Sequence, residues 1–199
     1  GEEQLALADE LLATVRSTGQ IYAMFETSAF RASCYAMRQV YQAGGFGKLV
    51  FTEGEYYHYM DQHIGSYKDW RVGLPPQYYP THSNGFYTCV TGGSFTSVSC
   101  LATPSLLEDF LPGKNRYGNR FATEVALFRT SEGGMARMAV SWDMPGAAGE
   151  KGRVYGQKGS FEERYSGQVD VSKTSQEKPP LPPGMSAGGH GGSHGYLTD

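Results

Sequence analysis

The sequence predicts an α+β domain built on a large, mainly antiparallel sheet with flanking helices. Three observations carry this reading. Helical periodicity is concentrated in the first 43 residues, at least four aromatic and β-branched stretches follow, and turn residues join them as hairpins.

Residues 2–18, EEQLALADELLATVRST, place Leu5, Ala8, Leu12 and Val15 at helical spacing with acids in the first turn, and Gly19 follows as a stop. QIYAMFETS reads as a short buried strand. Residues 31–43, RASCYAMRQVYQA, form a second helix with Ala36, Met37, Val40 and Tyr41 on one stripe, closed by Gly44-Gly45. KLVFTEGEYYHYM (48–60) and SFTSVSCLA (94–102) read as strands. RFATEVALFRT and MARMAVSWDM form a hairpin through Ser131–Gly134. Phe121, Val125 and Leu127 lie on one face of its first strand, and Ala136, Met138, Val140 and Trp142 on one face of its second. RVYGQKGSFEE reads as a further hairpin turning at Lys158-Gly159. Residues 166–195 are dense in Pro and Gly and read as a long loop, after which Tyr196-Leu197 look like the start of another element.

Composition narrows the function. The 199 residues carry a net charge of -3 and no run of Lys or Arg, which argues against a duplex-binding surface. The apolar runs are too short to cross a bilayer. Three cysteines without CxxC spacing, Cys34, Cys89 and Cys100, point to reduced thiols and a cytoplasmic setting. Fourteen tyrosines suit sheet faces and sugar-like ligands alike. No G-x-S-x-G elbow and no G-x-x-x-x-G-K-[ST] occurs, and no G-x-G-x-x-G follows a strand and opens a helix.

Strand alternation in EGEYYHYM puts Gly54, Tyr56 and His58 on one side, and Glu53, Glu55 and Tyr57 on the other. The first set makes a floor for a sugar. The two glutamates, about 7 Å apart along a strand, are compatible with paired catalytic carboxylates but fit a solvated outer face better. His58, Asp61 and His63 match no metal-ligand spacing. In YYPTHSNGFYTCV, Thr81 or Ser83 is placed to cap a helix, which would set His82 at its N-terminus. The dipole there favours a neutral ring, and Tyr79 lies three residues earlier. A lone histidine of this kind is also an ordinary structural residue.

FGKLVFTEGEYYHYM, WR-x-GLPP-x-YYPTH, NRFATEVALFRTSEGGMARM, GRVYGQKGSFE and GGHGGSH together, in this order, resemble the C-terminal half of Gfo/Idh/MocA oxidoreductases. The resemblance implies a dihydrodipicolinate-reductase-like sheet domain over residues 29–199. It further implies that residues 1–28 are the last helix and strand of an NAD(P)-binding Rossmann domain. A sugar or polyol substrate, NAD(P) held outside this chain, and a homo-oligomer formed through the sheet are what it implies for ligands and partners. It casts His82 as the acid/base residue with Tyr79 beside it, and Tyr56, His58, Arg71 and His190 as substrate-binding. Taken on their own residues, His190 and His194 read as part of a glycine-rich loop. The family's histidine usually closes a D-x-G-x-H pattern, whereas Tyr78 stands here at the aspartate position. YPTH is similar to the NAD-dependent glycosidases of the same superfamily, which leaves dehydrogenase and glycosidase chemistry both open. As an isolated chain, the fragment is expected to be inactive, and a non-catalytic, dimerising sheet module is the remaining reading.

Overall fold

The computed structural model describes residues 2–23, 25–61, 69–185, 192, 193 and 196. Helix α1 (Glu2–Thr18) leads, followed by a 3₁₀ turn at Thr27–Phe30 and helix α2 (Ala32–Gln42). Strand β1 (Leu49–His58), a 3₁₀ turn at Pro76–Tyr78 and helix α3 (Thr81–Thr91) come next. The remaining strands are β2 (Phe95–Pro104), β3 (Phe121–Thr130), β4 (Met135–Ser141), β5 (Ala148–Gly156), β6 (Gly159–Phe161) and β7 (Tyr165–Gly167). They form one seven-stranded sheet in the order β2-β3-β4-β1-β5-β6-β7. Every pair is antiparallel except β1 with β4. This is the α+β architecture expected from the sequence.

Period-two alternation decides what the sheet buries. Thr52, Gly54 and Tyr56 of β1 share a face with Ala136, Met138 and Val140 of β4 and with Val154 of β5. Helices α2 and α3 cover that face with Cys34, Met37, Val40, Phe86, Tyr87 and Val90, and together these residues form the main core. Two glycines permit the close approach. A Cβ at Gly54 would lie 2.0 Å from the Ser83 carbonyl oxygen, and one at Gly152 would lie 2.2 Å from the Phe86 ring. Helix α3 therefore sits directly on β1 and β5, which fixes where His82 goes.

The opposite face carries Phe121, Val125 and Leu127 of β3, so the two apolar stripes of the predicted hairpin point to opposite sides of the sheet. Leu101, Leu127 and Met135 are exposed there. Beside them Glu53 and Glu55 meet Arg137 at 2.7 and 2.9 Å and Arg153 at 3.4 and 3.3 Å. The two glutamates thus belong to a four-charge network on the outer face, away from the helices. The arginine side chains are about a third exposed and the glutamates less, so the network is only partly open to solvent.

Three sequence expectations change. The buried strand over 20–28 is absent among the described residues: Ile21 is 96% exposed and residues 27–30 coil into the 3₁₀ turn. A strand needs a neighbour to take its backbone hydrogen bonds, and the seven-stranded sheet offers none at this position. Helix α1 forms as expected yet buries no residue. The N-cap of α3 is Pro80, without a side-chain cap, and the Ser83 hydroxyl donates to the Pro80 carbonyl at 3.0 Å. Finally, β5 ends at Gly156 and β6 begins at Gly159, so Gln157-Lys158 makes that turn.

Candidate functional site

His82 is the second residue of α3 and is 5% exposed. Because Gly54 admits the Ser83 carbonyl, the imidazole is pressed onto the neighbouring position on that face of β1, Tyr56. Their ring centroids are 4.5 Å apart. Tyr79, ending the 3₁₀ turn before α3, meets His82 edge-on at 5.2 Å. Tyr56 and His58 lie two residues apart on β1 with rings parallel within 2° and centroids 6.3 Å apart. Trp142, just past β4, closes the other side of Tyr56 edge-on at 5.7 Å, and its indole N–H donates to the Leu74 carbonyl.

Arg71 completes the aromatic wall, with its guanidinium 5.0 Å from the Trp70 ring centre and 5.4 Å from that of Tyr79. Its Nε is buried with no hydrogen-bond partner among the described residues, as is Nδ1 of His58. Two orphaned buried nitrogens in one wall are a costly arrangement for a resting protein and mark where a ligand's acceptor would be received. Burial and the nearby Arg71 charge push the His58 pKa down, so its ring is neutral at physiological pH. Burial, with Tyr79 beside it, raises the Tyr56 phenol to about 12 and keeps it protonated.

On its other side His82 faces an acidic network that the sequence reading did not contain. Nδ1 lies 2.9 Å from Glu26 Oε1, 3.4 Å from Ser28 Oγ and 3.8 Å from Glu150 Oε1. Glu26 caps the 3₁₀ turn by accepting from the Ser28 backbone N–H at 2.7 Å. Glu150 comes from β5, in register with Tyr56. It receives two hydrogen bonds from Arg31, at 3.0 and 2.8 Å, and the Ser28 hydroxyl at 2.6 Å. Burial would raise both carboxyls. Hydrogen bonds from His82, Thr81 and the Ser28 backbone outweigh it and hold Glu26 at about 2, while Arg31 and Ser28 depress Glu150.

Glu26, His82 and Glu150 bring ligand atoms within 4.8 Å of one another, a spacing that could hold a cation. Arg31 already neutralises Glu150, and the Nδ1–Glu26 hydrogen bond occupies the remaining donor–acceptor pair. The cluster is therefore satisfied as an ion-pair network. His58 and Asp61 are described, but His63 lies outside the described residues, as do His190 and His194.

The depressed Glu26 predicts acid lability with a definite sign. A carboxyl whose folded pKa lies below its unfolded value stabilises the fold above the unfolded value, and that stability is lost as pH falls through the folded one. From about 4.5 down to about 2, Glu26 is expected to surrender on the order of 3 kcal/mol. Denaturant midpoints of wild type and Glu26→Gln across that window check this. The variant's stability should fall less steeply, and parallel curves would contradict the assignment.

Two spaces adjoin the rings. A cavity of about 10 Å³ among Tyr56, His58, Arg71, Tyr79 and Trp142 holds no more than one water. A cleft of about 400 Å³ runs along Arg31, Tyr56, His58 and Gly146–Glu150, within the usual range for small-molecule sites. The structure thus brings Tyr56, His58, Arg71, Tyr79 and His82 together, and adds Glu26, Ser28, Arg31 and Glu150. Only Glu26 left a trace in sequence, as an acid directly before the Thr27–Phe30 turn that it caps. Nothing local marks Glu150.

The fold has many solved relatives. An oxidoreductase from Sinorhizobium meliloti superposes with a TM-score of 0.66 at 15% identity, covering 98% of this chain and 56% of that one. An NAD binding oxidoreductase from Klebsiella pneumoniae gives 0.61 at 15%, covering 81% and 44%. An aldose-aldose oxidoreductase from Caulobacter crescentus gives 0.57 at 16%, covering 76% and 43%. The chain spans about half the length of these proteins, and at such identities the likeness speaks for the fold. No curated protein sequence matches it. Among the described residues, no helix is long and apolar enough to cross a membrane. Residues 34–162 match the sequence profile of the GFO/IDH/MocA C-terminal domain. The match covers α2 through β6, including the strand and helix that carry Tyr56 and His82, and the chain belongs to that family.

Proposed function

We propose that this chain is the substrate-binding part of an NAD(P)-dependent oxidoreductase acting on a sugar or polyol, with His82 as the acid/base residue. The observation that carries the reading is the placement of His82. It is buried, backed by two ionised carboxylates, and pressed against a tyrosine-rich wall that borders a cleft of ligand size. Residues 1–28 then belong with a nucleotide-binding domain, which suits a helix α1 that buries nothing and an exposed Ile21. No glycine fingerprint for a dinucleotide occurs in this sequence, so the nicotinamide would be held by chain outside these 199 residues.

In the reaction, His82 would take the proton from the oxygen of a substrate CH–OH group and return it in the reverse direction, while a nicotinamide, when bound, would supply the hydride chemistry. Tyr79 contacts the same hydroxyl region, while Tyr56 and His58 form the floor. The orphaned Arg71 Nε receives a polar substituent. The outer sheet face, where Leu101 is 84% exposed, is where we place a second copy of the chain. Light scattering that returns a monomer would overturn that part.

A glycosidase that removes and returns the hydride is the second reading, favoured by the YPTH segment. Incubating the full-length protein with free polyols and with chromogenic glycosides, with and without NAD⁺, separates the two. Net nicotinamide reduction supports the dehydrogenase, and cofactor-dependent aglycone release supports the glycosidase. Inertness toward both would sink the assignment.

A further inference from the structure

We propose that His82 keeps a proton on Nδ1 in both of its charge states, with Glu26 as the positioning residue, so that all proton exchange takes place at Nε2. Among the described residues, three side-chain oxygens lie nearest Nδ1. Glu26 Oε1, at 2.9 Å, is an acceptor only. Glu150 Oε1, at 3.8 Å, is likewise an acceptor and already receives Arg31. The third neighbour, Ser28 Oγ at 3.4 Å, has a single proton. That proton is drawn to Glu150 Oε2 at 2.6 Å, the shortest and charge-assisted contact, in preference to the His82 carbonyl at 3.0 Å. Ser28 therefore presents lone pairs to the ring.

A bare Nδ1 would face lone pairs from each of these three described neighbours in a buried site, which leaves the nitrogen unsatisfied against the Glu26 carboxylate. A protonated Nδ1 satisfies it. Glu26 is itself fixed, since it also accepts the Ser28 backbone N–H at 2.7 Å and so anchors the 3₁₀ turn. The ionisation of Glu26 agrees with this, as its pKa of about 2 keeps it an acceptor throughout the neutral range. Which ring nitrogen of a histidine carries the proton is set by the hydrogen bond it makes, and here that bond is to Glu26.

This supplies what the sequence lacks at Tyr78. Where D-x-G-x-H would place an aspartate four residues before the histidine, Tyr78 is 70% exposed and packs edge-on against Tyr117. The carboxylate arrives instead from Glu26, 56 residues upstream, by way of the 3₁₀ turn. The catalytic consequence rests on the reading of His82 as acid/base; the tautomer itself does not.

The test is long-range ¹⁵N–¹H correlation on the 199-residue chain with ¹⁵N-labelled histidine, His82 being assigned by His82→Gln. The expected spectrum shows His82 Nδ1 as the protonated, pyrrole-type nitrogen and Nε2 as the pyridine-type one. The reverse pattern overturns the proposal. Glu26→Leu should lose the Nδ1–H signal in favour of Nε2–H. Glu26→Gln should restore it, because the amide oxygen can still accept. A folded Glu26→Leu that retains the Nδ1–H form would remove Glu26 from the role. If Glu26→Leu does not fold, wild type and Glu26→Gln still decide. No turnover is needed, so a failure here is separable from a failure of the oxidoreductase reading.

Discussion

Replacing His82 by alanine in the full-length protein is expected to lower turnover by about 10²- to 10⁴-fold, the usual worth of a positioned acid/base group. The loss should fall on kcat more than on KM. On the proposed reading the wall of Tyr56, His58, Arg71 and Tyr79 holds the substrate, and His82→Ala leaves that wall in place. Removing the imidazole also takes one of Glu26's hydrogen-bond partners, leaving Thr81 and the Ser28 N–H, so the variant should lose stability as well, by about 1–3 kcal/mol. Steady-state kinetics below the variant's unfolding temperature separate the two effects. Turnover within a few-fold of wild type would exclude His82 from the chemistry.

The second large effect is Gly54→Ala. One methyl group at this position would meet the Ser83 carbonyl oxygen at 2.0 Å and Met138 Sδ at 2.7 Å. The thioether can move, but the carbonyl belongs to the first turn of α3 and cannot move without lifting the helix off β1. A loss of about 3 kcal/mol or more is expected from such overpacking, read as a drop in denaturant midpoint with little change in slope. His82 precedes Ser83, so the same lift should displace its ring from Tyr56 and lower activity in whatever fraction stays folded. A loss below about 1 kcal/mol would mean that α3 is not seated as described.

Most of the fold was legible in sequence because its determinants are local. The periods of β1, α2 and the β3–β4 hairpin are carried within ten or eleven residues, and turn chemistry at Ser131–Gly134 joins the hairpin without reference to anything distant. Residues 20–28 misled for the complementary reason. QIYAMF has strand composition, but composition cannot supply a neighbouring strand, and none of the described strands lies beside it.

The site divides along the same line. Tyr56, His58, Tyr79 and His82 were readable because strand alternation and a short turn before a helix bring them together within 27 residues. Glu150 faces His82 only because β5 pairs with β1 in a register that sets it against Tyr56, 94 positions away. Ser28 enters through a 3₁₀ turn where the end of a strand was expected, and Arg31 enters as the N-cap of α2. Charge networks assembled across such separations leave no pattern in any one segment.

The central claim is that the surface around His82 delivers a sugar hydroxyl to a nicotinamide. Its most direct measurement follows the hydrogen itself, using the full-length protein, oxidised cofactor and a polyol deuterated at its carbinol carbons. The account predicts that deuterium appears on the reduced nicotinamide with wild type, and does so about 10²- to 10⁴-fold more slowly with His82→Ala. Oxidation or cleavage of the sugar without any label passing through the nicotinamide would contradict it.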